Sequence, residues 1–419
     1  MTLTDQRSAP PEPIGSLAID GAEARHVLQP DDPEQVAAIL RQASANGNGV
    51  FPVGSGRHQR FGRAPEAVDV ALSTRGLSGL IRYDPEDLVV SVRAGTTLAE
   101  LQDELAANGQ WLPVEAPGGP DATIGGLLAL NLSGPRQLGS LSLRDLLLGM
   151  AVAQTDGTVV KSGGMVVKNV SGFDMGRLHV GARGTLGVIT SANFKVLPRP
   201  ATEATTIATW HGTADGKAAA FAAYDRLRAS PLRPVAADLI VEGDETRLAV
   251  RFEGRAGAVE RQRTTAVELL GGDAETLPDP DASRSWWTEH VALLGFDDPR
   301  TTVLRIEARP REMASVVASV AGGLPNHGSQ GSRVVVSPGL GFAWLHLGAA
   351  PRESMEALVT RLREAGVAAA VMAAPVAWKA DLETSLDTSE EGPPRPVDVA
   401  LREQFDPAGI LNRGRFPIA

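Results

Sequence analysis

The stretch Pro52–Gly62, PVGSGRHQRFG, places two glycines around a serine directly after the apolar run NGVFPV, and an arginine and a histidine follow. Successive backbone N–H groups with no side chain on alternate residues form a nest for an anion, to which Ser55 and Arg57 add donors. The same pattern also serves a plain tight turn. Two phosphate-binding designs are excluded. After Gly54 and Gly56 the third glycine of the dinucleotide fingerprint is replaced by Gln59, Gly62 comes too late, and no long helical pattern follows. No Gly-Lys-Ser or Gly-Lys-Thr occurs, which removes the Walker loop.

Two further segments repeat the texture. One carries glycines at 118, 119, 125, 126, 134 and 139 among small polar residues; the other reads KNVSGFDMGRLHVGARGTLGVIT from Lys168 to Thr190. Three separated loops of this kind exceed what turns require, and they suit one long polar ligand that the backbone must approach closely. The chain has no cysteine, so disulfides, thiol catalysis and cysteine-ligated clusters or zinc are excluded within it, and no metal site is expected. An iron–sulfur cluster, if the chemistry needs one, belongs to a partner.

The elements that must hold these loops follow from the surrounding pattern. At 419 residues, 43% hydrophobic and 21% charged, the chain is an ordinary globular protein of two domains or one with a large insertion. Its formal charge of −10 argues against non-specific nucleic-acid binding. Residues 1–16 lack the apolar core of a signal peptide and are expected to form a disordered leader. No apolar run is long enough to span a bilayer, so a cytoplasmic protein is expected, with peripheral attachment through partners left open. DDPEQVAAILRQASANG predicts a helix capped by Asp31 or Asp32 with Pro33 in its first turn. GVFPV predicts a buried strand, and DLVVSVRAGTTLAELQDELAANG a strand, a turn and a helix capped by Thr96 or Thr97 and stopped by Gly109. TDGT between alternating runs predicts a hairpin, and LGVITSANFKVLPRP a final strand. Near residue 200 the glycine-rich texture gives way to strand–helix units, which predict a separate antiparallel sheet with helices on one face. The expected boundaries are 17–200, 201–386, a flexible loop at 387–396, and a C-terminal return at 397–419.

Taken in order, the motifs PVGSGRHQRFG, ATIGG…N…SG, LRDLLLGMAVAQTDGTVVKSGG, VKNVSGFDMGRLHVGARGTLGVIT and FDPAGILNRGRF resemble the FAD-binding domain of the vanillyl-alcohol-oxidase type, the p-cresol methylhydroxylase (PCMH) fold. The likeness covers roughly 20–200 and the tail at 400–416. It implies an α+β architecture: an FAD domain of two α+β subdomains, a smaller antiparallel-sheet-plus-helices cap, and a C-terminal segment returning to the FAD domain. Within the family the wording is most similar to FAD-binding subunits of bacterial glycolate oxidases. The resemblance implies that Val53, Gly54, Ser55, Gly56, Arg57, His58 and Gln59 wrap the FAD pyrophosphate. It sets Pro117, Gly118, Thr123, Gly125 and Gly126 on the phosphate and ribityl side, with Ser133 and Gly134 beside them. Gly184, Gly187, Val188 and Ile189 would meet the adenosine half, and Asn412 would lie near the isoalloxazine ring. His58 stands where some relatives bond a histidine covalently to the flavin; a phosphate- or solvent-facing donor is the other reading.

Oxidation of a 2-hydroxy acid needs a cation for the carboxylate, a base for the hydroxyl proton and C2 poised over the flavin. The histidine-rich HGDGN-like segment of catalytic relatives is missing. His346 in GFAWLHLGAA has no acidic partner beside it, and HGSQGSR at 327–333 is a poor substitute. Arg305, Arg309 and Lys379 are candidates for a carboxylate clamp, although charges on strand edges are mostly solvated, and no catalytic residue is assigned. Trp286, Trp287 and Trp378 read as core or interface residues. Arg183 stands where many relatives carry glutamate. The resemblance implies an FAD-carrying subunit of a glycolate dehydrogenase yielding glyoxylate. A sister FAD-binding catalytic subunit and an iron–sulfur subunit would pass electrons towards quinone. A self-sufficient FAD-dependent dehydrogenase of D-lactate or another 2-hydroxy acid is the alternative, and a scaffold that has lost the flavin is a third.

Overall fold

The computed structural model describes residues 10–115, 117–166, 174–212, 214–294, 296, 298–321, 332–379 and 396–416. Most of the leader, the start of the third glycine segment, the loop at 327–331 and nearly all of the proline-rich loop at 387–396 lie outside the described residues. The chain forms two compact units. One comprises Met1–Ser133, Leu141–Arg199 and Gly392–Ala419; the other comprises Gly134–Ser140 and Pro200–Glu391.

In the first unit, β1 (Ala18–Ile19), β2 (Ala22–Leu28), β3 (Val50–Val53) and β4 (Val68–Ser73) make a sheet of order β1-β2-β4-β3. The β2–β4 and β4–β3 pairs are parallel, joined through α1 (Pro33–Asn46). Asp32 caps that helix by accepting from the Gln35 N–H at 2.7 Å, and Gly47 ends it at φ 69°. Its apolar stripe of Val36, Ile39, Leu40 and Ala43 is buried with Val50, Val70 and Leu72. The first glycine loop therefore leaves the carboxyl end of a parallel strand, where open α/β sheets receive ligands. Chain upstream of β1 already pairs, since Ile14 donates its N–H to Val27 at 2.8 Å.

A second, antiparallel sheet has the order β5-β6-β10-β8-β9, from β5 (Leu80–Asp84), β6 (Val89–Arg93), β8 (Leu147–Ala153), β9 (Val159–Gly163) and β10 (Val188–Lys195). β8 and β9 are the hairpin expected from TDGT, with Gly157 at φ 85° in its turn. Thr97 and Glu100 form a capping box on α2 (Leu98–Ala106). That helix stops at Ala106 and Gly109, at φ 63°, then turns the chain into β7 (Gln110–Trp111). The strand expected to run to the prolines divides, because Val196 breaks the ladder before β11 (Leu197–Pro198), which pairs with β7. Between these strands lie α3 (Ile124–Leu130), α4 (Leu143–Leu146) and α5 (Met175–His179).

The second unit is an eight-stranded antiparallel sheet of order β15-β12-β14-β13-β17-β18-β16-β19. Its strands are β12 (Thr202–His211), β13 (Ala236–Glu242), β14 (Glu245–Gly254), β15 (Asp273–Thr276), β16 (Val303–Glu307), β17 (Arg333–Ser337), β18 (Phe342–His346) and β19 (Ala368–Ala373). Helices α6 (Asp215–Ala229), α7 (Ala256–Leu270), α9 (Met313–Ala321) and α10 (Arg352–Glu364) share a core with Leu239, Leu248, Val250 and Val336. Helix α8 (Pro280–Ala292) does not join them. It buries Trp287 against Ile207, Ile240 and Ala249, which alternate with the first set and so lie on the opposite face. The expectation of helices on one face is corrected. The run AADLIVE in β13 is apolar at nearly every position, and a strand of that kind needs cover on both sides.

Segment Gly134–Ser140 is held in this unit by a buried ion network. Arg136, 1% exposed, pairs with Glu253, which lies 3.4 Å from Arg251. Arg251 in turn forks onto both oxygens of Glu203 at 2.8 and 2.9 Å. Elsewhere on the sheet, His290 Nε2 lies 2.9 Å from Asp238, which also accepts from the Ser337 hydroxyl at 2.6 Å. After α11 (Val376–Lys379) the described chain resumes as α12 (Pro396–Phe405), which belongs to the first unit. Among the described residues no helix is long and apolar enough to cross a membrane.

Candidate functional site

Beyond α12 the tail turns around Asp406, whose carboxylate accepts from the Ile410 and Leu411 N–H groups at 3.0 and 2.8 Å. That turn lays residues 410–412 beside the free edge of β3. Val50 donates to Ile410 at 2.8 Å, and Asn412 donates to Val50 at 2.9 Å. The edge strand is thereby closed by chain from the far end of the sequence.

Closing β3 creates a groove of about 610 Å³, open to solvent, between the first glycine loop, α3 and the tail. The loop and helix meet without side-chain clearance. A Cβ on Gly54 would stand 2.2 Å from Thr123 Oγ1, so only glycine fits. Thr123 caps α3, its hydroxyl accepting from the Gly126 N–H at 3.3 Å. Gly56 takes φ 82°. Among the described residues the N–H groups of Ser55 and Gly56 donate to no protein acceptor, and both residues line the groove. Two undirected donors in a cradle that a Cβ would fill are what an anionic group requires.

His58 Nε2 lies 2.8 Å from the Pro117 carbonyl oxygen. A carbonyl only accepts, so this nitrogen carries the proton. The ring packs edge-on to Phe61 and fills the place of a Cβ at Gly118, 2.5 Å from Nε2. His58 thus ties the first glycine loop to the second.

The tail fixes the third segment as well. Asn412 Nδ2 donates to the carbonyl oxygens of Arg183 at 2.9 Å and Gly184 at 3.4 Å. Arg415, 5% exposed, pairs with Asp20 at 3.2 Å and donates to the Gln59 and Phe61 carbonyls. Burial pushes its guanidinium below the ordinary arginine range, against the pull of Asp20. Phe416 packs on Gly62, where a Cβ would stand 2.4 Å from its ring. Behind the groove, burial lowers His179 to about 4, leaving a neutral imidazole edge-on to Phe405.

Of the residues singled out in the sequence, Val53 to Gln59, Thr123, Gly126 and Asn412 line this groove. Pro117 and Gly118 adjoin it through His58. Gly125 packs on Ala94, to whose carbonyl it donates at 2.8 Å. Ser133 is buried, its hydroxyl accepting from the Leu143 N–H at 2.9 Å, whereas Gly134, at φ 79°, begins the segment that belongs to the second unit. Gly184 abuts Asn412, and Gly187, Val188 and Ile189 pack on β8. Asn412 lines the groove together with the first glycine loop and contacts Arg183 and Gly184. Sequence reasoning missed Arg415 and Phe416, whose contacts span more than 350 residues of chain. Their signals were the glycine at 62 and their place at the end of the motif FDPAGILNRGRF.

In the second unit His346, 8% exposed, is lowered to about 4 by burial and then by the positive charges of Arg333 and His290. Its Nε2 has no hydrogen-bond partner among the described residues. Arg305 pairs with Glu307 at 3.1 Å and lies 4.9 Å from the centre of the Phe342 ring. Arg309 pairs with Glu312, and Lys379 is buried. Trp287 is core, donating its indole N–H to Thr205 at 2.9 Å.

Residues 24–163 match the family described as FAD binding domain. Escherichia coli (strain K12) glycolate oxidase subunit GlcE is 37% identical over 203 residues, 48% of this chain and 54% of that protein. The D-lactate dehydrogenase of Archaeoglobus fulgidus is 35% identical over 183 residues, 44% of this chain and 41% of that one. The chain therefore spans about half the length of the curated relatives it matches. Among solved structures, an alkyldihydroxyacetonephosphate synthase superposes with a TM-score of 0.68 over 94% of this chain and 77% of that one. At 15% identity that likeness speaks for the α+β fold alone. Residues 24–163, which bring the first glycine loop and α3 to the groove, match that FAD-binding domain, and the cofactor the match indicates is FAD.

Proposed function

We propose that this chain is the FAD-binding subunit of a 2-hydroxy-acid dehydrogenase complex that oxidises glycolate to glyoxylate. A sister FAD-binding catalytic subunit and an iron–sulfur subunit complete it and pass electrons towards quinone, and the assembly works in the cytoplasm, at the inner membrane through its partners. The similarity to glycolate oxidase subunit GlcE supports the subunit reading. The absence of cysteine requires any cluster to come from outside.

The observation that carries the cofactor reading is the pair of undirected N–H groups at Ser55 and Gly56, inside a groove to which the matched region contributes the first glycine loop and α3. Residues 53–59 would hold the FAD diphosphate, with Thr123 and Gly126 of the first turn of α3 beside them. His58 orients the loop by bonding Pro117. Pro117, Gly118 and Gly125 shape the adjoining wall, Ser133 and Gly134 follow them, and Gly184 to Ile189 offer backbone to the adenosine half. Bound FAD supplies a two-electron acceptor for the hydrogen on C2 of the acid. Among the described residues the buried, neutral His346 has no acid hydrogen-bonded to it, and in this reading the base for the hydroxyl proton belongs to the sister subunit.

The visible spectrum of the purified chain, reconstituted with FAD and then precipitated with acid, tests this. A yellow protein whose flavin follows the supernatant is expected; flavin that stays in the pellet would instead mark His58 as its covalent anchor. Colour that bleaches with glycolate only after partners are added supports the subunit. Bleaching by D-lactate or glycolate alone transfers the reading to a self-sufficient dehydrogenase, which the likeness to D-lactate dehydrogenase favours. A chain that stays colourless overturns both.

A further inference from the structure

Arg183 stands in the turn Gly181–Gly184 with φ 55°, between glycines at φ 82° and φ 68°. A glycine would take this conformation without cost, whereas a residue with a Cβ pays about 1 kcal/mol for it. The backbone is clamped there from both sides. The Arg183 N–H donates to Ala129 at 2.8 Å, and its carbonyl accepts from Asn412. The side chain is exposed and lines the groove, its Cζ 5.5 Å from the centre of the Phe416 ring.

The groove has two other cations, and both face carboxylates: Arg57 pairs with Asp121, and Arg415 is buried against Asp20. Among the described residues Arg183 has no carboxylate partner. An aromatic face beneath a guanidinium holds it in place without neutralising it. The strained backbone, the aromatic platform and the uncompensated charge all serve one end, which is to present a positive group to the cavity where Ser55 and Gly56 point unused donors.

We propose that Arg183 is the counter-charge for the FAD diphosphate in this chain. This rests on the reading of the groove as the diphosphate site and adds to it a residue that sets affinity. Backbone N–H groups direct the phosphate oxygens but carry no net charge, so a cation in the same groove strengthens the hold on the dianion. The arginine provides it from the third loop, and Asn412 acts through it as a positioning residue.

The test uses the full chain stripped of flavin, titrated with FAD by fluorescence quenching at several salt concentrations, with ADP as a competitor that carries the diphosphate and no flavin. Arg183→Gly keeps the backbone conformation and relieves its strain, so its melting temperature is expected to equal or exceed that of the wild type. Its Kd for FAD should rise about tenfold, the worth of a charged hydrogen bond, and the affinity for ADP should fall by the same factor. The salt dependence of FAD binding should flatten. Arg183→Gln should bind as weakly as the glycine variant, and Arg183→Lys should fall between it and the wild type. Wild-type Kd and salt dependence in both Arg183→Gly and Arg183→Gln overturn the proposal while leaving the diphosphate site standing. A wild-type chain that takes up neither FAD nor ADP overturns both.

Discussion

Asn412 Nδ2 reaches the Arg183 carbonyl oxygen at 2.9 Å across 229 residues of chain, and both residues hold positive φ, 47° and 55°. One amide thus stabilises two uncommon backbone conformations at once. Asparagine tolerates the left-handed region better than most residues and brings a donor to two carbonyls. Asn412→Asp keeps the shape and turns that donor into an acceptor facing two acceptors. It should destabilise the first unit by about 2 kcal/mol and weaken FAD binding more than Asn412→Gly does. Urea denaturation and flavin titration of the two variants check the order.

Gly54 and Thr123 offer a sharper test, because their closeness is pairwise. Gly54→Ala places a methyl group against the Thr123 hydroxyl and should abolish flavin uptake. Thr123→Ala alone loses a helix cap worth about 1 kcal/mol. In the double variant the space freed by threonine receives the new methyl, so the combined loss should be smaller than the sum of the single losses. Strict additivity in a melting series would show that the two loops do not touch.

The buried histidines make stability depend on pH. Unfolded, each imidazole takes up its proton near 6.5; folded, His179 and His346 stay neutral down to about 4. The unfolded chain therefore binds more protons in that window, and stability is full above pH 6.5 and falls as the pH drops towards 4. Each group contributes up to about 3 kcal/mol of that loss. His179→Phe should flatten the pH dependence for the first unit and His346→Leu for the second, as read from denaturant midpoints at pH 5 and 7.5.

Arg136 and Glu253 form a pair whose breakage is costly from either side, since each leaves a buried charge behind. Arg136→Met should lower the stability of the second unit by about 3 kcal/mol. Limited proteolysis should then cut within 134–140, a segment otherwise pinned by the Gly139–Val235 hydrogen bond at 3.1 Å. Unchanged melting and an uncut chain would show that the network carries no stability.

What the sequence made legible was local. Asp32, Thr97 and Gly157 act within a few residues of themselves, so their caps and turn could be read directly. The glycine turn at Gly54–Gly56 was legible for the same reason, and the strand–helix alternation after residue 200 announced the antiparallel sheet of the second unit. Helix α8 was not, because PDASRSWWTEHVA has a weak apolar stripe and anchors chiefly through Trp287. The return of the tail was expected from FDPAGILNRGRF, but the contacts that Arg415 and Phe416 make there were not. Arg415 and Phe416 look like ordinary tail residues until Asp406 turns the chain onto β3. Glycine marks where a neighbour must come close, without naming the neighbour.

The tail that closes β3 also sets a schedule. Residues 406–416 leave the ribosome after every strand named above, roughly 350 residues behind the loop they complete, an interval on the order of half a minute at roughly 10 residues per second. Until then Val50 lacks its partner, Gln59 and Phe61 have no guanidinium to hold them, and Arg183 is not clamped. The nascent protein can build both sheets and still have no place for a flavin. In the proposed reading, cofactor loading therefore waits for residues 406–416, and the colour of the protein reports that this turn has closed on β3.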